Sequence, residues 1–264
     1  MSSIALQTYS IRDSIKNETD LRASLKRAAG MGYTLLQFTK PAYMTIERQA
    51  ALAKELGVTI DSVYHPLEDM EKDFDGVCRD AEIIGTPVVR TSEIPEAQSN
   101  SAEGCLRFAE TLNRWGKRLQ ERGLKLVTHF HSYQFKNFGG KGTGTDIIID
   151  GTDPGSVFFM PDLFWLTAAG VEASRYLLRF KGRSFMLHVN DYSVRPQSAA
   201  REKVPVSDAP IGAGNMNWPA VMAAAREVGI EEFVVELEDS GAKVFDDLEI
   251  SYSRLKEWIG VYYT

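Results

Sequence analysis

The stretch LRASLKRAAGMGYTLLQF, residues 21–38, contains the unit from which this sequence is built. Leu21–Met31 has the apolar spacing of an amphipathic helix, Gly32 can supply a left-handed C-cap, and Thr34–Phe38 is a β-rich apolar run. A helix that ends at glycine and leads directly into an apolar strand is typical of the βαβ units of a parallel sheet. The stretch therefore predicts an α/β fold.

The same unit repeats along the chain. A second helix, Arg48–Leu56, ends at Gly57, and four later helical segments are followed by Gly85, Gly123, Gly182 and Gly229. The predicted strands are Ile4–Tyr9, Thr34–Phe38, Thr59–Tyr64, Pro87–Thr91, Leu124–His131, Val157–Leu163, Ser184–Asp191 and Phe233–Leu237. Eight strands that alternate with helices predict a (β/α)8 TIM barrel, and since no Pro/Gly/Ser-rich linker interrupts them, residues 1–264 are expected to form one domain.

The amino-acid composition and the net charge indicate a globular protein and limit the partners that it is expected to bind. Hydrophobic residues make up 44% of the 264 positions and charged residues 25%, which is ordinary for a globular protein. The net charge is −6 and the basic residues are scattered, so nucleic acid is not an expected partner. Without an apolar run long enough for a membrane span or a signal peptide, a cytoplasmic location is expected.

Two longer stretches between the regular segments, Gln134–Asp153 and Tyr192–Asn215, are interpreted as irregular loops. Both follow strands, so in a barrel they belong to the catalytic face. The first is rich in glycine but fits neither the P-loop nor the dinucleotide pattern, and a mobile lid is the favoured interpretation.

The histidines of the sequence are at or near the ends of predicted strands. His65 follows the third strand, His129 and His131 belong to the fifth, and His188 belongs to the seventh. Active sites of barrel enzymes form at the C-terminal ends of the strands. We therefore expect these histidines to converge, although a single histidine in such a place is more often a hydrogen-bonded capping or core residue.

Carboxylates occupy neighbouring strand ends. Glu236 is embedded in an apolar run, where an ionised side chain is costly unless it is paired or binds a metal. With Asp162 and His188 on the two preceding strands it forms a mixed oxygen and nitrogen set, which suits one Mn, Co, Mg, Fe or Zn ion. The alternative for Asp162 is a helix cap, and Asp191 could likewise cap its own loop.

Aromatic and basic side chains lie near the same strand ends. Tyr9 and Trp165 could stack on a sugar ring, although packing of the barrel rim explains them equally well. Arg195, like Arg12 and Lys40, could bind an oxyanion, and the alternative is a solvated surface charge.

Several motifs resemble one family in the order in which they occur. The resemblance to the xylose isomerase-like barrel superfamily of sugar (phosphate) isomerases and epimerases rests on LQTYSIR (6–12), THFHSYQF (128–135), DLFW (162–165), LHVND (187–191), GAGNMNW (212–218) and VVE (234–236). Together these motifs span nearly the whole chain.

The resemblance implies one divalent metal ion, bound through Asp162, His188 and Glu236 and through a fourth residue at position 134. The family has glutamate there, and this chain has Gln134. An amide oxygen can bind a metal, but it brings no charge and cannot accept a proton. Because the family's epimerases are thought to use two glutamates as bases, His131 or His129 would have to replace the second base here.

These observations predict a metal-dependent isomerase, epimerase or lyase that abstracts a proton beside the carbonyl of a sugar, keto-sugar or cyclitol. Glu236 or a histidine is the expected base, His65 or His131 the expected proton donor. Expected substrate-binding residues are His129, Tyr9, Trp165, Arg195 and Asp191. The alternatives are a metal-free carbohydrate-binding barrel and an abasic-site endonuclease. The substrate, its phosphorylation, the metal and the oligomeric state are left open.

Overall fold

The computed structural model describes residues 2–39, 41–91, 94–194, 206–238 and 241–263. Its strands are β1 Ser3–Gln7, β2 Leu35–Gln37, β3 Thr59–Ile60, β4 Val63–Tyr64, β5 Val88–Thr91, β6 Lys125–His129, β7 Val157–Met160, β8 Met186–Val189, β9 Asp191–Val194, β10 Val206–Ala209 and β11 Glu232–Val235. Its α-helices are α1 Glu18–Met31, α2 Ile46–Leu56, α3 Leu67–Lys72, α4 Phe74–Ile84, α5 Glu96–Ser99, α6 Ala102–Gln120, α7 Gly144–Gly151, α8 Leu163–Ala168, α9 Ala173–Leu177, α10 Trp218–Val228 and α11 Val244–Tyr262. Short 3-10 helices cover Thr8–Ser14, Ser132–Phe135, Gly139–Lys141, Leu178–Phe180 and Gly241–Lys243.

Two parallel sheets carry the strands of the predicted barrel. One has the order β3-β2-β1-β11-β8 and the other the order β4-β5-β6-β7. They are joined at one side by the continuous segment from β3 to β4. At the other side they are joined by a parallel bridge between Asp162 and His188, in which the His188 amide donates to the Pro161 carbonyl at 2.9 Å. The strands therefore follow one another in the order of a (β/α)8 barrel.

The third predicted strand, Thr59–Tyr64, is divided into β3 and β4. The Asp61 amide still donates to the Leu36 carbonyl of β2 at 3.0 Å, whereas the His65 amide donates to the Arg90 carbonyl of β5 at 2.9 Å. The segment thus changes its partner strand at Asp61 and Ser62, and the two side chains point into a network inside the barrel that is described below.

The first two helices end at the glycines that the sequence analysis predicted as C-caps. Gly32 and Gly57 adopt the left-handed conformation at the ends of α1 and α2, with φ of 116° and 67°. Both amides donate to carbonyls of the last helical turn, so the helices stop where the sequence predicts.

The apolar faces of the helices and strands form one large core cluster. Its largest buried side chains include Tyr33, Phe108, Phe159, Phe180 and Phe233. A second, smaller cluster of Val88, Val127, Met160 and Met186 lies on four adjacent strands. None of the helices among the described residues combines the length and apolar character needed to cross a bilayer.

The two stretches predicted to be irregular contain regular structure, so that prediction was wrong. Gln134–Asp153 includes α7, because Thr143 and Asp146 form a reciprocal capping box that begins the helix. In Tyr192–Asn215 the antiparallel pair of β9 and β10 occupies the described part, with Asp208 opposite Tyr192. Residues 195–205, with Arg195, lie outside the described residues.

Candidate functional site

Four side chains converge at the C-terminal ends of neighbouring barrel strands. His129 ends β6, Asp162 follows β7, His188 is in β8 and Glu236 follows β11. One potential ligand atom from each lies within 4.8 Å of those of all the others. The parallel strands place these positions at one end of the barrel, which explains why residues more than a hundred positions apart meet there. We call these four residues the upper cluster.

His188 lies between the two carboxylates of the upper cluster. Its Nδ1 is 2.6 Å from Glu236 Oε2 and 3.3 Å from Asp162 Oδ2. Burial by itself lowers the pKa of His188, but the charge of Glu236 and the hydrogen bonds to both carboxylates raise the pKa to about 9. A proton at Nδ1 is therefore favoured between these groups, and a divalent cation could meet the same carboxylates in place of the proton.

The other two members of the upper cluster respond to burial in opposite directions. Burial lowers the pKa of His129, although a contact of 3.5 Å from its Nε2 to Asp162 Oδ2 opposes the shift. Burial would raise the pKa of Asp162, but hydrogen bonds from His129 and His188 hold it well below its usual range. Asp162 also accepts from the Trp165 amide at 3.0 Å, so it caps α8 as well as facing the cluster. Asp162 is thus ionised and fixed in position, as a carboxylate ligand of a metal ion would be.

Gln37, which the sequence analysis missed, fixes the orientation of the His188 ring. Gln37 is fully buried, and its Oε1 accepts from His188 Nε2 at 2.6 Å and from Gln7 Nε2 at 2.9 Å. An amide oxygen can only accept, so His188 Nε2 carries hydrogen and Nδ1 faces the carboxylates. The available signal was an amide inside the apolar run of residues 35–38.

Gln134 is buried, but its amide serves the local backbone. Gln134 Oε1 accepts from the His131 amide at 2.8 Å within the 3-10 turn, and Gln134 Nε2 has no partner among the described residues. His129 completes the upper cluster. The expected metal-binding role of Gln134 stays a prediction.

A cleft of about 440 Å³ opens over the upper cluster, lined by His129, His188 and Glu236 among others. Three further residues predicted from the sequence, Tyr9, His131 and Trp165, also line it. The His131 ring lies edge-on to Trp165, with ring centroids 4.8 Å apart, and Tyr9 is 40% exposed at the mouth. The cleft therefore combines the candidate ligands with aromatic surface.

Glu238 and Arg90 line the same cleft and were also missed. Burial raises the pKa of the Glu238 carboxyl to about 7, and the nearby charge of Glu236 adds to the shift. Glu238 has a weak signal in the sequence, since it follows Glu236 with one residue between. Arg90 is inside β5, and a charged residue in an otherwise apolar strand was the signal available for it.

Two predicted site residues have other partners. His65 Nδ1 lies 3.2 Å from Asp69 Oδ2 and its Nε2 lies 3.1 Å from Asp80 Oδ2, and His65 is not among the described residues that line the cleft. Asp191 accepts hydrogen bonds from the amides of Tyr192, Gly212, Gly214 and Met216 and from the Trp218 indole. Their catalytic and substrate-binding roles stay predictions.

Asp191 holds the loop after β10 in place. A Cβ at Gly214 would lie 2.4 Å from Asp191 Oδ1, so only glycine allows the loop to approach this closely. The conformation of the GAGNMNW motif thus follows from a buried carboxylate that binds main-chain amides.

Solved structures with the same fold include sugar-related proteins. A sugar phosphate isomerase/epimerase from Parabacteroides distasonis aligns with a TM-score of 0.75 at 23% identity, covering 97% of this chain and 93% of that chain. An L-ribulose 3-epimerase aligns with a TM-score of 0.72 at 14% identity, covering 100% of this chain and 96% of that chain. The IolI protein, solved with a zinc atom bound, aligns with a TM-score of 0.72 at 13% identity and complete coverage of both chains.

A search among curated proteins finds no match. A family model described as xylose isomerase-like TIM barrel matches residues 25–258. This match covers most of the chain and includes the whole upper cluster. The chain therefore belongs to the xylose isomerase-like TIM barrel family.

Proposed function

We propose that this chain is an isomerase, epimerase or lyase that moves a proton at the carbon beside a carbonyl of a sugar, keto-sugar or cyclitol, with one divalent metal ion bound by the upper cluster. The observation that carries the proposal is the convergence of His129, Asp162, His188 and Glu236 within 4.8 Å beneath an open cleft. We propose His129 as the fourth ligand, since the Gln134 amide oxygen is used by the backbone.

The donor set fits a divalent metal. Two carboxylates and two imidazoles are the oxygen and nitrogen ligands that Mn, Co, Fe and Zn accept, and the two carboxylates would balance the charge of the ion. Gln37 supports the fit because it leaves His188 Nδ1 directed at both carboxylates. Such an ion would act as a Lewis acid on a carbonyl oxygen and lower the barrier to proton removal beside it.

Three cleft residues can carry the proton. Glu236 lines the cleft, and His131 is held against Trp165. Glu238 has a pKa of about 7, close to the value at which one group can both accept and donate a proton. The aromatic walls at Tyr9 and Trp165 would exclude water from one side of the substrate. His65 is left out of this assignment because it does not line the cleft among the described residues.

The first test is the metal content of the purified protein by elemental mass spectrometry, after incubation with Mn²⁺, Co²⁺, Zn²⁺ or Mg²⁺ and desalting. We expect about one ion per chain, and we expect it to be lost in His188→Ala. His65→Ala is the matched control, since it removes a histidine that also faces two carboxylates. Absence of metal in the wild type, or equal loss in both variants, would contradict the proposal.

The second test follows proton abstraction directly. The metal-loaded protein is incubated in D2O with ketopentoses, ketohexoses and keto-inositols, and deuterium incorporation beside the carbonyl is measured by NMR. An isomerase, epimerase or reversible lyase that abstracts this proton incorporates deuterium when the base exchanges with the solvent before the proton returns. Exchange that disappears in Glu236→Gln supports the proposal, whereas full exchange in that variant would contradict the role of Glu236.

A metal-free carbohydrate-binding protein is the second candidate. The observation that favours it is the placement of His188 between Asp162 and Glu236, where an imidazolium contacts both carboxylates and offsets part of their charge without a metal. This candidate predicts that a sugar raises the melting temperature equally with and without a chelator, with no exchange in D2O. The enzyme proposal predicts binding that depends on the metal.

A further inference from the structure

Arg90 is a buried cation without an ion-pair partner in the part of the chain that the structure describes. The residue is 6% exposed, and its only hydrogen bond among the described residues runs from Nε to Ser62 Oγ at 2.6 Å. Its Nη2 is buried with no partner, and Asp61 and Glu236 act on its charge without forming an ion pair with it among the described residues. The two N–H groups of Nη2 are therefore buried and unused.

A structural role explains this arrangement only in part. Ser62 Oγ donates in turn to Asp61, so the hydroxyl stands between the guanidinium and the closest carboxylate of the network. A buried cation is costly unless its charge and its N–H groups are matched. The neutral Ser62 hydroxyl accepts from Nε alone, and the buried Nη2 is left unmatched. The unmatched donors point to a ligand.

The ligand has access to Arg90 from the cleft of the upper cluster, since Arg90 lines that cleft. Among the described residues that line it, Arg90 is the only lysine or arginine. The two outer nitrogens of a guanidinium form a planar fork that matches a carboxylate, with one charge on each side. A phosphate group, with more charge and more acceptors, would leave part of its charge unmatched at a single arginine.

We propose that Arg90 binds a carboxylate of the substrate, so that the substrate is a sugar acid or a hydroxylated ring acid. This inference rests on the proposed function for the idea that the same molecule also reaches the upper cluster. Arg90 is then a specificity-determining residue that distinguishes acids from neutral sugars.

The test is isothermal titration of the Mn²⁺-loaded protein with matched pairs: D-glucuronate and D-glucose, D-galacturonate and D-galactose, quinate and its methyl ester. We expect at least one acid to bind roughly tenfold to a hundredfold more tightly than its neutral analogue, as the loss of a charge-assisted pair implies. We expect Arg90→Gln to reduce the affinity for the acid to that for the analogue. Equal binding of the two members in every pair, no binding of any acid, a preference that survives in Arg90→Gln, or tighter binding of inorganic phosphate would overturn the proposal.

Arg12→Gln is the charge control. Arg12 lies over the Tyr9 ring with 4.2 Å from its Cζ to the ring centroid, and it donates to the carbonyls of Tyr9 and Glu238. The variant removes the same charge close to the cleft, and we expect it to keep the preference for the acid. If Arg12→Gln also loses the preference for the acid, the preference arises from the overall electrostatic potential near the cleft. That result would overturn the assignment to Arg90.

Stability and metal content separate the remaining explanations. We expect an unchanged or higher melting temperature for Arg90→Gln and Arg90→Met, because an unmatched buried charge is removed. A clear fall in both would indicate a structural ion pair and contradict the proposal. One Mn²⁺ per chain without any preference for acids would refute only the Arg90 inference, whereas a preference without metal binding would refute only the proposed function.

Discussion

Two groups of charged side chains lie inside the barrel, and they differ in where their atoms point. The upper cluster brings its ligand atoms together beneath the cleft. The lower group consists of Asp61, Ser62, Arg90 and Glu232, with Glu232 at the N-terminal end of β11. In it Asp61 accepts from Ser62 and from Gln37 and lies beside Glu232, whereas the buried Nη2 of Arg90 has no partner among the described residues.

The carboxyl groups of the two groups differ in their protonation. Burial, together with the adjacent Asp61, raises the pKa of Glu232 to about 10, so Glu232 keeps its proton at neutral pH. In the upper cluster Asp162 stays ionised, held so by hydrogen bonds from His129 and His188. Burial of charge alone therefore does not identify a functional site. Convergence of oxygen and nitrogen ligand atoms beneath an open cleft is the feature that distinguishes the upper cluster.

The largest expected effect comes from removing the central carboxylate of the upper cluster. We expect Glu236→Gln to lower deuterium exchange or turnover by about 100-fold to 10,000-fold, the usual contribution of a group that transfers a proton. Steady-state assays with metal content measured in parallel give the value. Asp61→Asn is the matched change in the lower group. A larger loss of turnover in Asp61→Asn than in Glu236→Gln would show that the lower group, not the upper cluster, is the more important for activity.

Gln37 connects the two groups, because it bonds to His188 above and to Asp61 below. We expect Gln37→Leu to weaken metal binding by about tenfold to a hundredfold, since His188 loses the acceptor that orients its ring. Competition with a fluorescent chelator measures the affinity. Gln49→Leu is the control, because Gln49 is equally buried, in α2, outside the residues that line the cleft. Equal weakening in both variants would show a nonspecific packing effect.

A pH series tests the lower group. In the unfolded chain Glu232 ionises above its ordinary pKa of 4.5, whereas the folded residue keeps its proton up to about pH 10. The folded state thus binds more protons between these values, and its stability falls as the pH rises from 4.5. We expect Glu232→Gln to remove this pH dependence and to raise the free energy of unfolding by about 1–3 kcal/mol at pH 7.

Urea unfolding between pH 4 and pH 9 measures the difference in unfolding free energy between Glu232→Gln and the wild type. This difference should be small near pH 4 and should grow with pH. Glu231→Gln changes the exposed neighbouring carboxylate and is expected to leave the slope unchanged. A difference that shrinks as the pH rises would show that Glu232 is ionised in the folded protein.

The smallest effect is expected at His65, which is paired with Asp69 and Asp80 and is not among the described residues that line the cleft. We expect His65→Asn to keep metal content and turnover and to change stability by less than about 1 kcal/mol, as for other partly exposed pairs. Exchange in D2O and urea unfolding measure both. A loss of turnover beyond about tenfold, with the fold intact, would support the proton-donor role expected from the sequence.

Much of the upper cluster could be predicted from the sequence. Glu236 was identifiable because a carboxylate inside an apolar strand needs a partner, and Asp162 and His188 because each is near the end of an adjacent predicted strand. Gln37 and Arg90 are also polar residues in apolar strands. They were missed because a strand with both faces covered gives no pattern that tells which side chains point inward.

The sequence by itself determined the alternation of strands and helices, the glycine helix ends and the strand ends from which the site is built, since these depend on local spacing and backbone conformation. Only the tertiary structure decided which polar groups meet. It turned the Gln134 amide to the His131 backbone, directed His65 to two peripheral carboxylates, and brought His129 to Asp162. Side-chain direction beyond a strand end depends on local turns and on neighbours distant in sequence, and neither can be read from the spacing of residues along the chain.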